Sequence, residues 1–165
     1  MLRIIIFGFS LFFISLVKAE TSIIIAQPGS PLEIKTYVAS YQPELGRYQR
    51  EGVKHEVVLK NVSEQNVNAY RVTFQSFDAF NEHMGRGLGG ISIETINSES
   101  DSSGTWVQSP YAVFTFEKYG TGVAYVSSVR LADGSVWKAN QEFILKEMKK
   151  ISSDLTSSIF EDDNK

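Results

Sequence analysis

The chain has no cysteine. That excludes disulfide bonds and thiolate metal sites, so any fold must be held by its core alone. It has two histidines, His55 and His83, and no Gly-x-Ser-x-Gly run, which leaves little from which to build a hydrolase triad. No apolar run is long enough to cross a membrane as a helix. The longest, Ile4–Val17, is 14 residues, where a span needs roughly 20. A basic excess is missing too. Setting aside Arg3 and Lys18, which fall in the leading segment, 14 basic residues stand against 19 acidic ones, a charge of −5. Such a balance gains nothing from the counterion release that drives nucleic-acid binding, and there is no polybasic cluster for an anionic membrane.

What is present at the N-terminus reads as an export signal. Arg3 gives a positive start, Ile4–Val17 an uncharged apolar run, and Val17-Lys18-Ala19 a cleavage site, which places the cut after Ala19. The competing reading is a retained membrane anchor. The expected location is periplasmic or secreted. The mature chain is then one ordinary domain, able to bury about two-thirds of its unfolded surface.

Residues 20–31 form a leader ending in the turn residues Gln27-Pro28-Gly29-Ser30-Pro31. Leu32–Tyr41 is rich in β-branched and aromatic residues and reads as a strand. Val53–Asn61 alternates: Val53, His55, Val57 and Leu59 face one way, Lys54, Glu56, Val58 and Lys60 the other. Asn61–Asn66 is a turn, and Val67–Phe77 is a strand with Tyr70, Val72 and Phe74 inward, so the two strands make an antiparallel hairpin. Four glycines between Gly85 and Gly90 predict a flexible loop. Ile91–Ile96 predicts a short strand, Asn97–Gly104 a mobile loop, Trp106–Pro110 an edge segment, and Ala112–Lys118 a strand with Phe114 and Phe116 inward. Gly122–Leu131 and Ser135–Ala139 form a hairpin about Asp133-Gly134, a type I′ signal. Then the period changes. Ile144, Met148, Ile151 and Leu155 make one stripe of an amphipathic helix over 140–158, capped by Asn140 and with Glu142 in its first turn. Residues 159–165 read as a disordered acidic tail. Short strands with turns between them and no strand–helix–strand alternation predict an all-β, immunoglobulin-like antiparallel sandwich over 32–139.

Lys60-Asn61-Val62-Ser63-Glu64-Gln65-Asn66-Val67, with Tyr70, Val72 and then Phe74-Gln75-Ser76-Phe77-Asp78, resembles the centre of the FxLYD-type domains. These are exported immunoglobulin-like sandwiches named for a Phe-x-Leu-Tyr-Asp strand end. Here Ser76 stands where that family has Leu, Phe77 replaces Tyr, and Asn81 stands near a common turn Gly. The resemblance covers about twenty residues, implies the sandwich fold and implies no activity.

Several residues are candidates for chemistry. Gly85-Arg86-Gly87-Leu88-Gly89-Gly90 fits G-x-G-x-x-G, but a dinucleotide site needs a helix to follow, and a β-pattern follows instead. No cofactor is expected. Asp78, Glu82 and His83 lie close enough in sequence to hold a metal, against the reading of a solvated loop. His55 reads as a core-margin histidine hydrogen-bonded to backbone or a carboxylate. A two-residue Asp133-Gly134 turn puts Leu131 opposite Val136 and Arg130 opposite Trp137, so the guanidinium would cover the indole on the outer face. With Tyr111, Trp106 or Tyr119 this would make half of a binding platform. Asn61-Val62-Ser63 fits the N-glycosylation pattern. Three functional readings follow: a non-catalytic module binding an envelope or extracellular protein, a carbohydrate-binding module stacking sugars on Trp137 and a Tyr, and a metal-assisted enzyme at Asp78 and His83. An unpaired apolar sheet edge or an exposed patch would favour the first.

Overall fold

The computed structural model describes residues 20–110 and 115–164. The export signal, Tyr111 and the beginning of the Ala112–Lys118 strand lie outside the described residues.

Two β-sheets face each other across a shared core. The strands are β1 (Thr21–Ile24), β2 (Leu32–Gln42), β3 (Gly52–Asn61), β4 (Val67–Asp78), β5 (Leu88–Ser92), β6 (Asp101–Gln108), β7 (Tyr119–Leu131) and β8 (Val136–Lys138). The larger sheet runs β1-β7-β4-β5, with β8 sharing the β1 side of β7. The smaller runs β2-β3-β6. All pairings are antiparallel except β1 with β7, which is parallel.

The period-2 pattern accounts for the core. Val53, His55, Val57 and Leu59 of β3 are buried, facing Tyr70, Val72 and Phe74 of β4, while Lys54, Glu56, Val58 and Lys60 face out, as expected. Each fully buried aliphatic or Phe side chain is worth roughly 1.5–3 kcal/mol. A second core lies on the opposite face of the larger sheet. There the helix α1 (Gln141–Met148) and a 3₁₀ segment (Ser157–Asn164) cover Phe77, Val123 and Tyr125 with Ile144, Met148, Leu155 and Phe160. Both faces of β4 are therefore buried beyond Arg71.

The structure corrects several expectations. β3 and β4 do not form the expected antiparallel hairpin: they lie in opposite sheets, β3 between β2 and β6 and β4 between β7 and β5. The leader is not mere coil: its Thr21-Ser22-Ile23-Ile24, β-branched at 21, 23 and 24, pairs with β7. The glycine run is not a free loop. Gly89 and Gly90 lie in β5, paired with Thr73 and Val72 of β4, and a Cβ on Gly90 would meet the Trp106 indole at 2.7 Å. Nor is Asn97–Gly104 mobile throughout, since β6 begins at Asp101. Residues 115–118 are outside any strand, although Phe116 is buried. The helix has half its expected length. Asn140 caps it as foreseen, its Oδ1 accepting from the Phe143 N–H at 3.1 Å. It stops at Met148, where the chain tightens to i→i−3 bonds: Lys150 N–H donates to Glu147 O at 3.1 Å and Ile151 N–H to Met148 O at 2.9 Å. Residues 157–164 are a 3₁₀ segment rather than a disordered tail, anchored by the buried Phe160.

Candidate functional site

The expected platform of Arg130 and Trp137 does not form. The hairpin loop holds three residues, Ala132, Asp133 and Gly134, the last with φ of 87°, and Leu131 N–H donates to Ser135 O at 2.9 Å. This is the three-residue loop with a left-handed glycine, not the two-residue type I′ turn. One extra residue moves every pair by one. Trp137 therefore stands opposite Val129, and Arg130 opposite Val136. A one-residue slip exchanges sheet faces: Trp137 is half-buried and packs on the main core, while Arg130 and Val136 point outward.

The other candidates also have internal duties. The Asp78 carboxylate accepts from the N–H of Phe80 and Glu82 at 2.8 and 2.9 Å, which fixes a turn. His83 Nε2 contacts Gln75 Oε1 at 2.7 Å. Among the described residues no group of three or more His, Cys, Asp or Glu is placed to hold a metal. Asn61 is fully buried and its amide donates to Gln65 O at 2.8 Å and Ile96 O at 3.0 Å, which leaves no room for a glycan.

His55 lies in the core itself rather than at its margin. Its Nδ1 meets the Tyr37 hydroxyl at 2.9 Å and its Nε2 meets Gln108 Oε1 at 3.3 Å, and both partners are side chains, neither a carboxylate nor backbone. Its ring stacks on Phe74 with centroids 4.4 Å apart. Ser76 Oγ donates to the same Gln108 oxygen at 2.9 Å, and Gln108 Nε2 donates to Arg86 O at 2.7 Å. This chain of polar groups links β2, β3, β4 and β6 inside the sandwich. Burial pushes the His55 pKa down to about 4, against the opposing pull of its bond to Gln108. Burial likewise raises that of Tyr37, and Tyr119 nearby adds to the effect.

Gln108 is one of three ties that close the sandwich along the β5–β6 side. In the middle, the half-buried Trp106 lies over Gly90 and Gly104 and meets the Phe74 ring at a centroid distance of 5.6 Å. At the far end Glu94 accepts from Ser92, Tyr70 and Ser102 hydroxyls at 2.8, 3.0 and 3.1 Å. The Ser92 hydroxyl, with those of Tyr70 and Ser102, holds this carboxyl below its usual range.

With the seam tied, the outer edge of β6 carries no strand pairing among the described residues. Asn61 directs both backbone groups toward the β6 side: its N–H donates to Ser100 O at 2.9 Å and its C=O accepts from Glu99 N–H at 3.0 Å. Counting by twos along β3, residues 59, 57, 55 and 53 bond to Ser102, Gly104, Trp106 and Gln108. The N–H and C=O groups of Asp101, Ser103, Thr105 and Val107 then point off the sheet. The same count on the opposite edge assigns Ala39 and Tyr41 of β2 as outward, and both are capped. Ala39 N–H donates to Ser22 Oγ at 2.9 Å, and Tyr41 N–H to the Glu20 carboxylate at 3.1 and 3.2 Å. β2 also carries an irregularity between Ile34 and Thr36 and the charges of Glu33 and Lys35. β6 pairs in unbroken register over eight residues and has no charge from Ser102 to Gln108 and no proline. Its sequence gave a partial signal, in that Trp106–Pro110 read as an edge segment, but the open stretch begins further back.

No family model and no curated protein matches the chain. Solved structures similar to the chain include two of unassigned role. A Northeast Structural Genomics Consortium target aligns with a TM-score of 0.44 at 13% identity, over 66% of this chain and 80% of its own. A hypothetical protein from Peptoclostridium difficile 630 aligns with a TM-score of 0.37 at 15% identity, over 82% and 99%. Among the described residues no helix is long and apolar enough to cross a membrane.

Proposed function

We propose that this chain is an exported, non-catalytic protein-binding module with an immunoglobulin-like topology, and that it engages its partner through the outer edge of β6. The observation that carries the reading is the bare edge itself. Natural sheets guard their edges with charge, proline, bulges or cover, because an unpaired row of N–H and C=O groups recruits another strand. The β2 edge has these guards, whereas from Ser102 to Gln108 the β6 edge has no charge, proline or bulge and no cover among the described residues, so it is suited to strand addition. The topology is supported by the β2-β3-β6 sheet facing β8-β7-β4-β5, which matches the A-B-E and G-F-C arrangement of that fold if β5 is an added C′ strand. The twenty-residue likeness to FxLYD-type domains agrees with it. Export rests on the Arg3, Ile4–Val17 and Ala19 pattern.

The glycan reading is weakened because Trp137 and Trp106 are packed on the core, and Tyr37, Tyr70, Tyr119 and Tyr125 are buried. The metal-enzyme reading loses Asp78 to a turn.

The test is light crosslinking of the C-terminally tagged full chain in its native host, beside a Thr105→Pro variant. The Thr105 N–H faces away from β3, so proline there removes a docking donor and spares the ladder. Recovery of one protein partner with the parent chain and its loss with the variant is the expected result. Equal recovery with both would refute the β6 assignment.

A further inference from the structure

The partner chemistry at β6 can be narrowed, granting that its edge is the binding surface. We infer that the strand completing this edge is β6 of a second copy, antiparallel about a two-fold axis through Gly104. The two chains would join their smaller sheets into one of six strands, β2-β3-β6 continuing into β6-β3-β2.

Self-pairing requires that outward backbone groups meet outward groups. The outward residues of β6 are the odd-numbered ones, so the axis must pass through a residue of the strand rather than between two. Gly104 is the position that engages all four. Ser103 then stands opposite Thr105 of the second copy, and Asp101 opposite Val107, each twice by symmetry. These are hydrogen-bonded pairs that exchange two bonds apiece. Ser–Thr is a favourable cross-strand combination, and no like charges meet. Charge extends the fit beyond the new junction. In the row Ser40–Lys54–Val107 of one copy the next residue is Asp101 of the other, followed by its Lys60 and Glu33. The row therefore alternates in sign: Lys54, Asp101, Lys60, Glu33.

The side chains also leave room. Ser103, Thr105 and Val107 are exposed and short, and Gly104 at the axis has no side chain. The six-membered ring of the Trp106 indole covers Gly104 of its own strand, where a Cβ would come within 2.1 Å of it, and reaches Gly90 and Phe74 in the core. It thus occupies the core side of the edge without projecting across the new junction. A closed two-fold contact uses the edge once and leaves no strand to propagate, which a heterologous strand-to-edge contact would not guarantee.

The experiment is the mass in solution of the full chain, expressed in its host and purified, by light scattering across a dilution series. Two variants accompany it: Thr105→Pro, and the double change Ser103→Lys with Thr105→Lys, whose side chains are exposed. Circular dichroism confirms that each is folded. The expected result is a dimer that dissociates on dilution and a halved mass for both variants at the same concentration. A dimer that both folded variants retain would overturn the inference by placing the contact elsewhere. A monomer at all concentrations whose β6 variants lose a captured host protein would overturn the second copy as occupant and keep the binding-module reading. A monomer with no β6-dependent capture would sink both.

Discussion

The two edges of the smaller sheet are built from similar strands and end differently. β2 is met by the segment that precedes it: Ser22 and Glu20 accept from Ala39 and Tyr41, and Glu33 and Lys35 add charge. β6 has its ties on the core side, through Glu94, Trp106 and Gln108, and no cap on its rim among the described residues. One edge spends side chains on hiding its backbone, the other on fixing the backbone in place while leaving it available. A rigid strand with free donors and acceptors binds at a lower ordering cost than a mobile one.

The comparison can be broken most severely at the core beneath β6. In the unfolded chain an imidazole titrates near 6.5. His55 in the fold titrates at about 4. The folded state thus binds fewer protons between these values. The stabilisation is full above about 6.5 and is lost as pH falls through about 4, to the extent of about 3 kcal/mol. Urea denaturation at intervals from pH 7 to 4 should show that decline, and the slope should largely vanish in His55→Gln. Next in size is Gly104→Ala, whose methyl would collide with Trp106. It should cost about 1–3 kcal/mol and shift the tryptophan emission as the indole is displaced; an unchanged denaturation midpoint would contradict the packing described. Unguarding β2 is a smaller change. Ser22→Ala leaves the Ala39 N–H without its acceptor and should cost about 1 kcal/mol, with Ala39 amide exchange rising toward that of the β6 rim. Asn140→Ala removes the α1 cap on the far side of the molecule. It should cost about 1 kcal/mol in thermal or chemical melts and leave binding at β6 unchanged.

The central strands were readable because their patterns survive folding: β2 falls where its β-branched and aromatic residues put it, β3 and β4 where alternation put them, and His55 falls on the buried face with Val53 and Val57, although β3 and β4 lie in opposite sheets rather than in one hairpin. The sequence was silent where the decisive partner is distant. Glycine predicts flexibility from local entropy, yet Gly90 is in a strand, and an indole sixteen positions away takes the space a Cβ would fill. The Arg130–Trp137 pair failed on a single loop residue, which local turn chemistry could not decide. Ile144, Met148, Ile151 and Leu155 all reach the second core or its margin, but beyond Met148 they do so through a turn and coil. The candidate edge was legible only in part. Trp106–Pro110 marked its end, whereas Asp101–Gly104 resembles a loop by composition, and whether an edge is paired, capped or bare is a property of the assembled sheet.

Residue-resolved amide hydrogen exchange on the full chain, across a dilution series, tests the account most directly. At high dilution the amides of Ser103, Thr105 and Val107 should exchange fast while Ala39 and Tyr41 stay protected, and the three β6 amides should become protected as the chain is concentrated. Fast exchange of those three at every concentration, with host proteins present as well as absent, would contradict it.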